Sequence, residues 1–155
     1  MISYTTSYPF MIVVDANVVL SALRSSRGAS HILLRELLAG NVEFAVSPAV
    51  ALEYEDVLKR TGTLGVAPSI SGDDIDTVLD AMFSQAHLVA PWFRFRPFLH
   101  DPKDDIYIEC ALTAGADLII SSDKDFRHPA VAAFGLSVMR AGDFIARHRT
   151  RRQRE

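Results

Sequence analysis

Residues 11–20 have the sequence Met11-Ile-Val-Val-Asp15-Ala-Asn17-Val-Val-Leu20, and this stretch decides the predicted fold. Four apolar residues followed by a carboxylate are typical of a buried parallel strand that ends where its polar side chains begin. In an open α/β sheet, ligands bind in the crevice outside the carboxyl ends of the strands. If the extended conformation persists through Asn17, the side chains of Asp15 and Asn17 point the same way. The alternative is a strand-ending turn in which both side chains bond their own backbone.

The composition indicates one compact domain. The chain has 155 residues, of which 49% are hydrophobic, and this is enough for a sizeable core but too little for two ordinary domains. Its apolar runs are too short to span a bilayer, and residues 1–10 lack the basic start of a signal peptide. We therefore expect no membrane association and a cytoplasmic location. The single cysteine, Cys110, cannot form an internal disulfide and is expected to be buried and inert.

The charge distribution is uneven. The net charge is −3, yet the last nine positions hold 5 of the 16 basic residues: Arg147, Arg149, Arg151, Arg152 and Arg154. The remaining, acidic part of the chain repels nucleic acid unless metal ions or local basic patches intervene. We divide the chain into an N-terminal extension (1–10), one domain (11–146) and an Arg-rich tail (147–155). The tail is expected to be a solvated end, with a phosphate-binding arm as the alternative.

The remaining periodicity predicts an α/β fold. Helices are expected at 30–39, 48–60, 102–114 and from Ser71 onward, with a last turn or two at 143–148; strands are expected at 42–46, 87–90, after Ala116 and at 136–140. Such alternation predicts a mostly parallel central sheet flanked by helices on both faces, a Rossmann-like three-layer sandwich.

Two helices place carboxylates on their apolar faces. Glu53 lies three and four positions from Val50 and Val57, so it is expected to point inward. A buried carboxylate needs an arginine, a hydrogen-bond network or a metal ion. Asp104, at the third helical position, shares a face with Ile108. The alternative for Asp104 is a capping role, because an aspartate in the first turn complements the helix dipole.

These acids predict a metal site. Two strand ends and two helix faces can bring four carboxylates to one crevice: Asp15, Glu53, Asp104 and Asp123. Unit charges about 4 Å apart repel by roughly 4 kcal/mol at an effective dielectric near 20, so the crevice needs cations. Oxygen ligands favour Mg²⁺ or Mn²⁺. Zinc is disfavoured, because the five histidines lack paired ligand spacing. Magnesium sites of this kind act mainly on phosphate esters.

At these residues the chain resembles the PIN-domain nucleases, particularly the VapC-like toxins of toxin–antitoxin systems. The resemblance covers about residues 11–146 and rests on four motifs: Val-Val-Asp15-Ala-Asn17-Val, Ser-Pro-Ala-Val-Ala-Leu-Glu53, Asp-Pro-Lys-Asp104-Asp105 and Ser-Ser-Asp123-Lys-Asp125-Phe. It implies catalytic roles for Asp15, Glu53, Asp104 and Asp123, with Asp15, Asp104 and Asp123 as metal ligands. Supporting positions are Asn17, Asp105, Ser121 and Asp125. The chain has Asp105 where close relatives look to have Asn, and Ala141 where a Pro often begins the last helix.

The resemblance implies a PIN-like fold and Mg²⁺- or Mn²⁺-dependent hydrolysis of RNA, without a Ser, Cys or His nucleophile. The implied partners are an RNA substrate and a protein antitoxin, with a homodimer as a candidate assembly and no membrane. Candidate nucleic-acid-binding residues at the crevice rim are Arg24, Arg27, Arg94 and Arg96. The last two lie in an aromatic and basic stretch, 91–97, which favours a loop with its aromatic side chains inward over a clamp on single strands.

Two other functions stay open. A non-catalytic PIN-like module would bind RNA or a protein without cleaving. An aspartate-phosphorylating domain also has carboxylates at its strand ends. However, a phosphatase of the haloacid type would need a second Asp where Asn17 stands, and a receiver has no use for Glu53.

Overall fold

The structure is a computed structural model that describes residues 11–60, 70–91 and 102–154, without the side chains of residues 102 and 103. These residues form, in order, β1 (Ile12–Val14), α1 (Ala16–Arg24), α2 (Ala29–Leu38), β2 (Ala45–Val46), α3 (Pro48–Lys59), α4 (Gly72–Gln85), β3 (His87–Leu88), α5 (Pro102–Ala114), β4 (Leu118–Ile120), a 3-10 helix (Lys124–Arg127), α6 (Pro129–Ala133), β5 (Ser137–Met139) and α7 (Ala141–Arg154).

All strand pairs within the described residues are parallel. One ladder has the order β1-β4-β5 and the other pairs β2 with β3. A parallel bridge between Ile12 and Phe44 joins the two ladders, so the strands follow the order β3-β2-β1-β4-β5. The chain therefore reverses its direction of progress across the sheet between β1 and β4. In doubly wound sheets, this switch point is where the crevice for ligands opens at the carboxyl ends of the strands.

Side chains cap the starts of α3 and α4. Ser47 caps α3 by accepting a hydrogen bond from the Val50 amide, and Pro48 occupies the first helical position. At α4, Ser71 and Asp74 form a reciprocal capping box. Both interactions satisfy amide groups that a helix N-terminus otherwise leaves without partners.

Helices flank the sheet and close the core. Helix α5 packs against β1, β2 and β4, while α2 and α3 both pack on α1 and α7 packs on α2. The central strands are buried on both faces, as parallel strands between helical layers are. This three-layer α/β arrangement confirms the predicted fold class. Within the described ranges, no helix combines the length and the apolar character that crossing a bilayer requires.

The structure corrects two expectations about secondary structure. After β1 the chain does not stay extended through Asn17. It forms the turn considered as the alternative, because the Asp15 side chain accepts from the Asn17 amide and caps α1, which begins at Ala16. Val18, Val19 and Leu20 favour a strand by their side-chain type, but they are buried in a helix, since tertiary packing overrides local propensity. Helix α6 and the 3-10 helix were also not foreseen.

The second correction concerns the C-terminus. Instead of ending after a turn or two, α7 continues to Arg154. Glu36 on α2 anchors it, because its Oε2 atom lies 3.4 Å from His148 Nε2 and 3.3 Å from Arg152 Nη1. Residues 147–154 are therefore helical, and α7 crosses the boundary that the sequence suggested at 146. Three predicted features lie outside the described residues: the extension at 1–10 and the candidate RNA-binding residues Arg94 and Arg96.

Candidate active site

Asp15 lies directly after β1, at the switch point of the sheet, and only 3% of it is exposed. Its Oδ1 atom accepts a hydrogen bond from the Asn17 amide at 3.2 Å, and its Oδ2 atom accepts one from the Ser121 hydroxyl at 2.7 Å. Burial raises the pKa of the Asp15 carboxyl, because a desolvated carboxylate is costly, while these hydrogen bonds act in the opposite direction. The negative charge of Asp123 raises that pKa further.

Ser121 connects the ends of two neighbouring strands. It follows β4, and its amide donates to the carbonyl oxygen of Met139 at 3.0 Å. Besides donating to Asp15, its hydroxyl oxygen accepts a hydrogen bond from the Asp123 amide at 2.9 Å. Asp123 in turn accepts one from the Asp125 amide at 2.9 Å. One buried hydroxyl therefore fixes Asp15 relative to the turn that carries Asp123 and Asp125.

Three carboxylates form what we call the acidic cluster: Asp104, Asp123 and Asp125. One oxygen from each lies within 4.8 Å of the other two. Asp104, on the first turn of α5, is 8% exposed, whereas Asp123 and Asp125 are half-buried. Three negative charges at this spacing repel one another by several kcal/mol, by roughly 4 kcal/mol for a pair about 4 Å apart at an effective dielectric near 20. The chemistry of the donor set fits a hard divalent cation bound through oxygen atoms.

Two buried tyrosines, Tyr54 and Tyr107, bind the backbone on either side of Asp15, and the prediction from sequence did not include them. The Tyr54 hydroxyl donates to the Val14 carbonyl oxygen, and the Tyr107 hydroxyl accepts from the Ala16 amide at 3.0 Å. The two hydroxyl groups therefore fix the backbone of Val14 and Ala16, the residues before and after Asp15. A signal for them existed in the sequence, because Tyr54 is adjacent to Glu53 and Tyr107 lies one helical turn after Asp104.

The pKa of Tyr107 shows which carboxylates act on its hydroxyl group. Burial raises it first, followed by the charges of Asp15, Glu53 and Asp104. All three carboxylates are thus within electrostatic reach of one hydroxyl, although they come from β1, α3 and α5. The raised pKa keeps Tyr107 a neutral hydroxyl, so it can position the backbone but cannot serve as a base.

The other predicted site residues have varied positions. Asp105 is buried, with 4% exposed, while the side chain of Asn17 is exposed because α1 has already begun. Glu53 is half-buried on α3, as its apolar stripe predicted. Arg24 ends α1, roughly 13 to 14 Å of helix rise away from Asp15. It is exposed, and so is Arg27.

The only cysteine of the chain cannot act as a nucleophile here. Cys110 is fully buried, and this burial raises the pKa of its thiol to about 11. The inert thiol predicted from the sequence is thus confirmed by its burial, since the reactive form is the thiolate.

Comparisons with known proteins agree with the fold. A family model described as the PIN domain matches residues 11–125. No curated protein matches the chain. Among solved structures, the chain is similar to one in the crystal structure of VapBC2 from Rickettsia felis bound to a DNA fragment from their promoter. The two chains share 17% identity with a TM-score of 0.52, over 84% of this chain and 98% of that one. At this identity the likeness concerns the fold.

Proposed function

The chain belongs to the PIN-domain family, and from this membership and the acidic cluster we propose that it is a metal-dependent endoribonuclease. The observation that carries the proposal is the convergence of Asp104, Asp123 and Asp125 within 4.8 Å at the switch point of a parallel sheet. Repulsion among these carboxylates favours binding of a divalent cation, for which we propose Mg²⁺ or Mn²⁺.

The proposed division of labour follows from burial and hydrogen bonding. Asp104, Asp123 and Asp125 would hold the ion, with Asp15 contributing beside them. A divalent cation bound there would lower the pKa of an attacking water and offset negative charge on the leaving oxygen of a phosphodiester. Ser121 keeps the Asp15 carboxylate in one orientation, since its hydroxyl donates to Oδ2 at 2.7 Å.

Glu53 is proposed to orient the water and accept its proton. It is half-buried, and its charge reaches Tyr107 beside the site. A carboxylate in such a position can act as a general base, provided that it lies within hydrogen-bond reach of the water. We keep Asn17 and Asp105 as supporting positions: the Asn17 amide binds Asp15, and Asp105 is a buried acid that follows Asp104 on α5.

A protein antitoxin is the proposed partner, and the proposed biological role is that of the toxin. The similarity in fold to a chain of a VapBC2 assembly supports this role. We propose the cytoplasm as the compartment, where both RNA and an antitoxin would be available. A homodimer is the assembly to test first by light scattering.

The test is cleavage of single-stranded RNA by the purified full-length protein with Mg²⁺ or Mn²⁺, and with EDTA. We expect cleavage only with the metal, and a loss of more than about a hundredfold in Asp104→Asn, because even residues behind metal ligands contribute 10–100-fold. Asp117→Asn is the matched control, since Asp117 is an exposed acid at the opposite end of β4. RNA that is bound but stays intact with either metal would instead identify a binding module.

A further inference from the structure

A second concave surface adjoins the acidic cluster. It is a cleft of about 620 Å³ at the carboxyl ends of β4 and β5, and its lining includes Ser121, Arg127, Arg140, Asp143 and Arg147. This volume falls within the range of about 300–1,000 Å³ that is usual for ligand pockets. We call this surface the arginine cleft. Ser121 belongs to both sites, because its hydroxyl binds Asp15 while its residue forms one wall of the cleft.

The three arginines reach the cleft from three separate elements. Arg140 directly follows β5, whose last residue, Met139, pairs with Ile120 at the end of β4. Arg127 ends the 3-10 helix that Asp123 caps, so the same turn carries a cluster acid at one end and a cleft arginine at the other. On α7, Asp143 and Arg147 are one turn apart and therefore share a face. Nothing in their sequence spacing brings these residues together, but the parallel register does.

The lining of the cleft has a net positive charge, because Asp143 offsets only one of its three arginines. Arg127, Arg140 and Arg147 are exposed, and none of them forms an ion pair or a side-chain hydrogen bond within the described part of the chain. Asp143 is the acid among the cleft residues named here. Arg152 differs from these three, because it forms an ion pair with Glu36 that joins α7 to α2. Because a guanidinium stays protonated and its fork of donors matches phosphate geometry, three such groups in one concavity suit a polyanion.

We infer that the arginine cleft binds backbone phosphates of the single-stranded RNA next to the bond that is cleaved; this inference rests on the proposed ribonuclease function. The acidic cluster by itself repels a phosphate chain. A strand can approach it only if a bound cation or positive groups nearby offset this charge, and the cleft supplies such groups next to Ser121. The strand would thus cross from the cleft, past Ser121, to the cluster. Phosphate contacts position the strand without reading its sequence.

The test measures the binding of a single-stranded RNA oligonucleotide in EDTA by fluorescence anisotropy over a range of salt concentrations. The variant is Arg140→Gln with Arg147→Gln, and the matched control is Arg149→Gln with Arg154→Gln, two exposed arginines of the same helix outside the cleft lining. Log affinity falls as log salt rises. Removing one arginine that binds a phosphate should make this negative slope shallower by about 0.7 on single strands. We expect a decrease of about 1.4 for the cleft variant and little change for the control.

The outcomes separate this inference from the proposed function. If the cleft variant has the slope of the wild type, or if the control shows an equal decrease, the cleft does not bind RNA and the inference fails, whatever the cleavage assay shows. Absence of RNA binding in the wild type would overturn it as well. If the slope becomes shallower as expected while no metal supports cleavage, the arginine cleft binds RNA and the nuclease proposal is wrong. A variant that no longer binds an oligoglutamate peptide but keeps its RNA affinity would assign the cleft to an acidic protein segment, against the inference.

Discussion

The carboxyl edge of the sheet has two halves of opposite character. At the ends of β1 and β4, the side chains are carboxylates, and Asp15 and Asp104 among them are buried. At the ends of β4 and β5, the side chains are exposed arginines that have no ion pair within the described residues. Ser121 lies between the two halves. The difference shows that one sheet edge can offer rigid oxygen ligands suited to a metal ion and, next to them, adaptable donors suited to phosphates.

The largest expected effect separates two adjacent acids of the acidic half. Asp104→Asn should lower metal-dependent RNA cleavage by more than about a hundredfold, because Asp104 belongs to the acidic cluster. Asp105→Asn should retain most of the activity, since Asp105 is outside that cluster. Initial rates under identical metal conditions provide the measurement. If the two variants exchange their behaviour, Asp105 is the ligand and Asp104 is structural.

The next effect concerns the boundary between the halves. Ser121→Ala should weaken Mn²⁺ binding by about 10–100-fold, because the hydroxyl orients Asp15 and residues behind metal ligands contribute that much. The same change leaves a buried acceptor without its donor and should cost about 1–3 kcal/mol of unfolding free energy. Mn²⁺ titration and urea unfolding measure the two effects. Ser122→Ala, at an exposed neighbour, is the control, and equal effects in both variants would remove Ser121 from the site.

A pH dependence should distinguish the acidic half in EDTA. Burial raises the pKa of Asp15 above its ordinary value of 3.8. Above pH 3.8, the unfolded chain has released a proton that the folded protein keeps until its raised pKa is reached, so stability falls as the pH rises through this window. The Asn side chain of the Asp15→Asn variant does not titrate, so its stability lacks this contribution. The stability of the wild type relative to that variant should therefore decline from acidic toward neutral pH, by up to about 1.4 kcal/mol per pH unit.

Urea unfolding of the two proteins at a series of pH values measures this difference. A wild type that gains stability relative to Asp15→Asn as the pH rises would mean that hydrogen bonds to the carboxylate outweigh its burial. Asp117→Asn, which changes an exposed carboxylate, should show no comparable trend.

The smallest effect lies at the far end of the arginine half, on α7. Arg152→Ala should lower the unfolding free energy by less than about 1 kcal/mol, because Arg152 and Glu36 form a partly exposed ion pair. Glu36→Gln should cost somewhat more, since Glu36 also contacts His148, which stacks on Phe144. Thermal melting at low and high salt compares them. A decrease of several kcal/mol in Arg152→Ala would mean that α7 depends on this ion pair for its folding.

The sequence predicted the parts of this molecule that local chemistry determines. Three predictions placed their elements correctly: the strand before Asp15, the helix that starts at Pro48 and the helix face that contains Glu53. Helix α1 was missed, because Val18 and its apolar neighbours favour a strand and only tertiary packing makes them helical. The helical extent of α7 was missed too. Its contacts with Glu36 on α2 join residues 112 and 116 positions apart in the chain, and no local pattern contains such contacts.

Of the three metal ligands expected from the sequence, Asp104 and Asp123 belong to the acidic cluster and Asp15 does not. Asp125 was expected to support the site, yet its oxygen lies with those of Asp104 and Asp123, because the 3-10 helix that Asp123 caps turns it back. The arginine cleft was not foreseen. A general rule could have pointed to it, since Arg140 directly follows a strand just as Asp15 and Ser121 do. Which strands are neighbours is a property of the sheet order, and no local pattern contains that information.

The most direct test of the central claim, a divalent-cation site at the acidic cluster, is thermal melting of the wild type in millimolar Mn²⁺ and in EDTA. An ion that binds only the folded protein stabilises it by about 2.7 kcal/mol at a hundred times its dissociation constant. We expect a higher melting temperature with Mn²⁺ for the wild type, and almost no shift for the variant with both Asp104→Asn and Asp123→Asn. A wild-type curve that Mn²⁺ leaves unchanged, or an equal shift in the variant, would contradict the account.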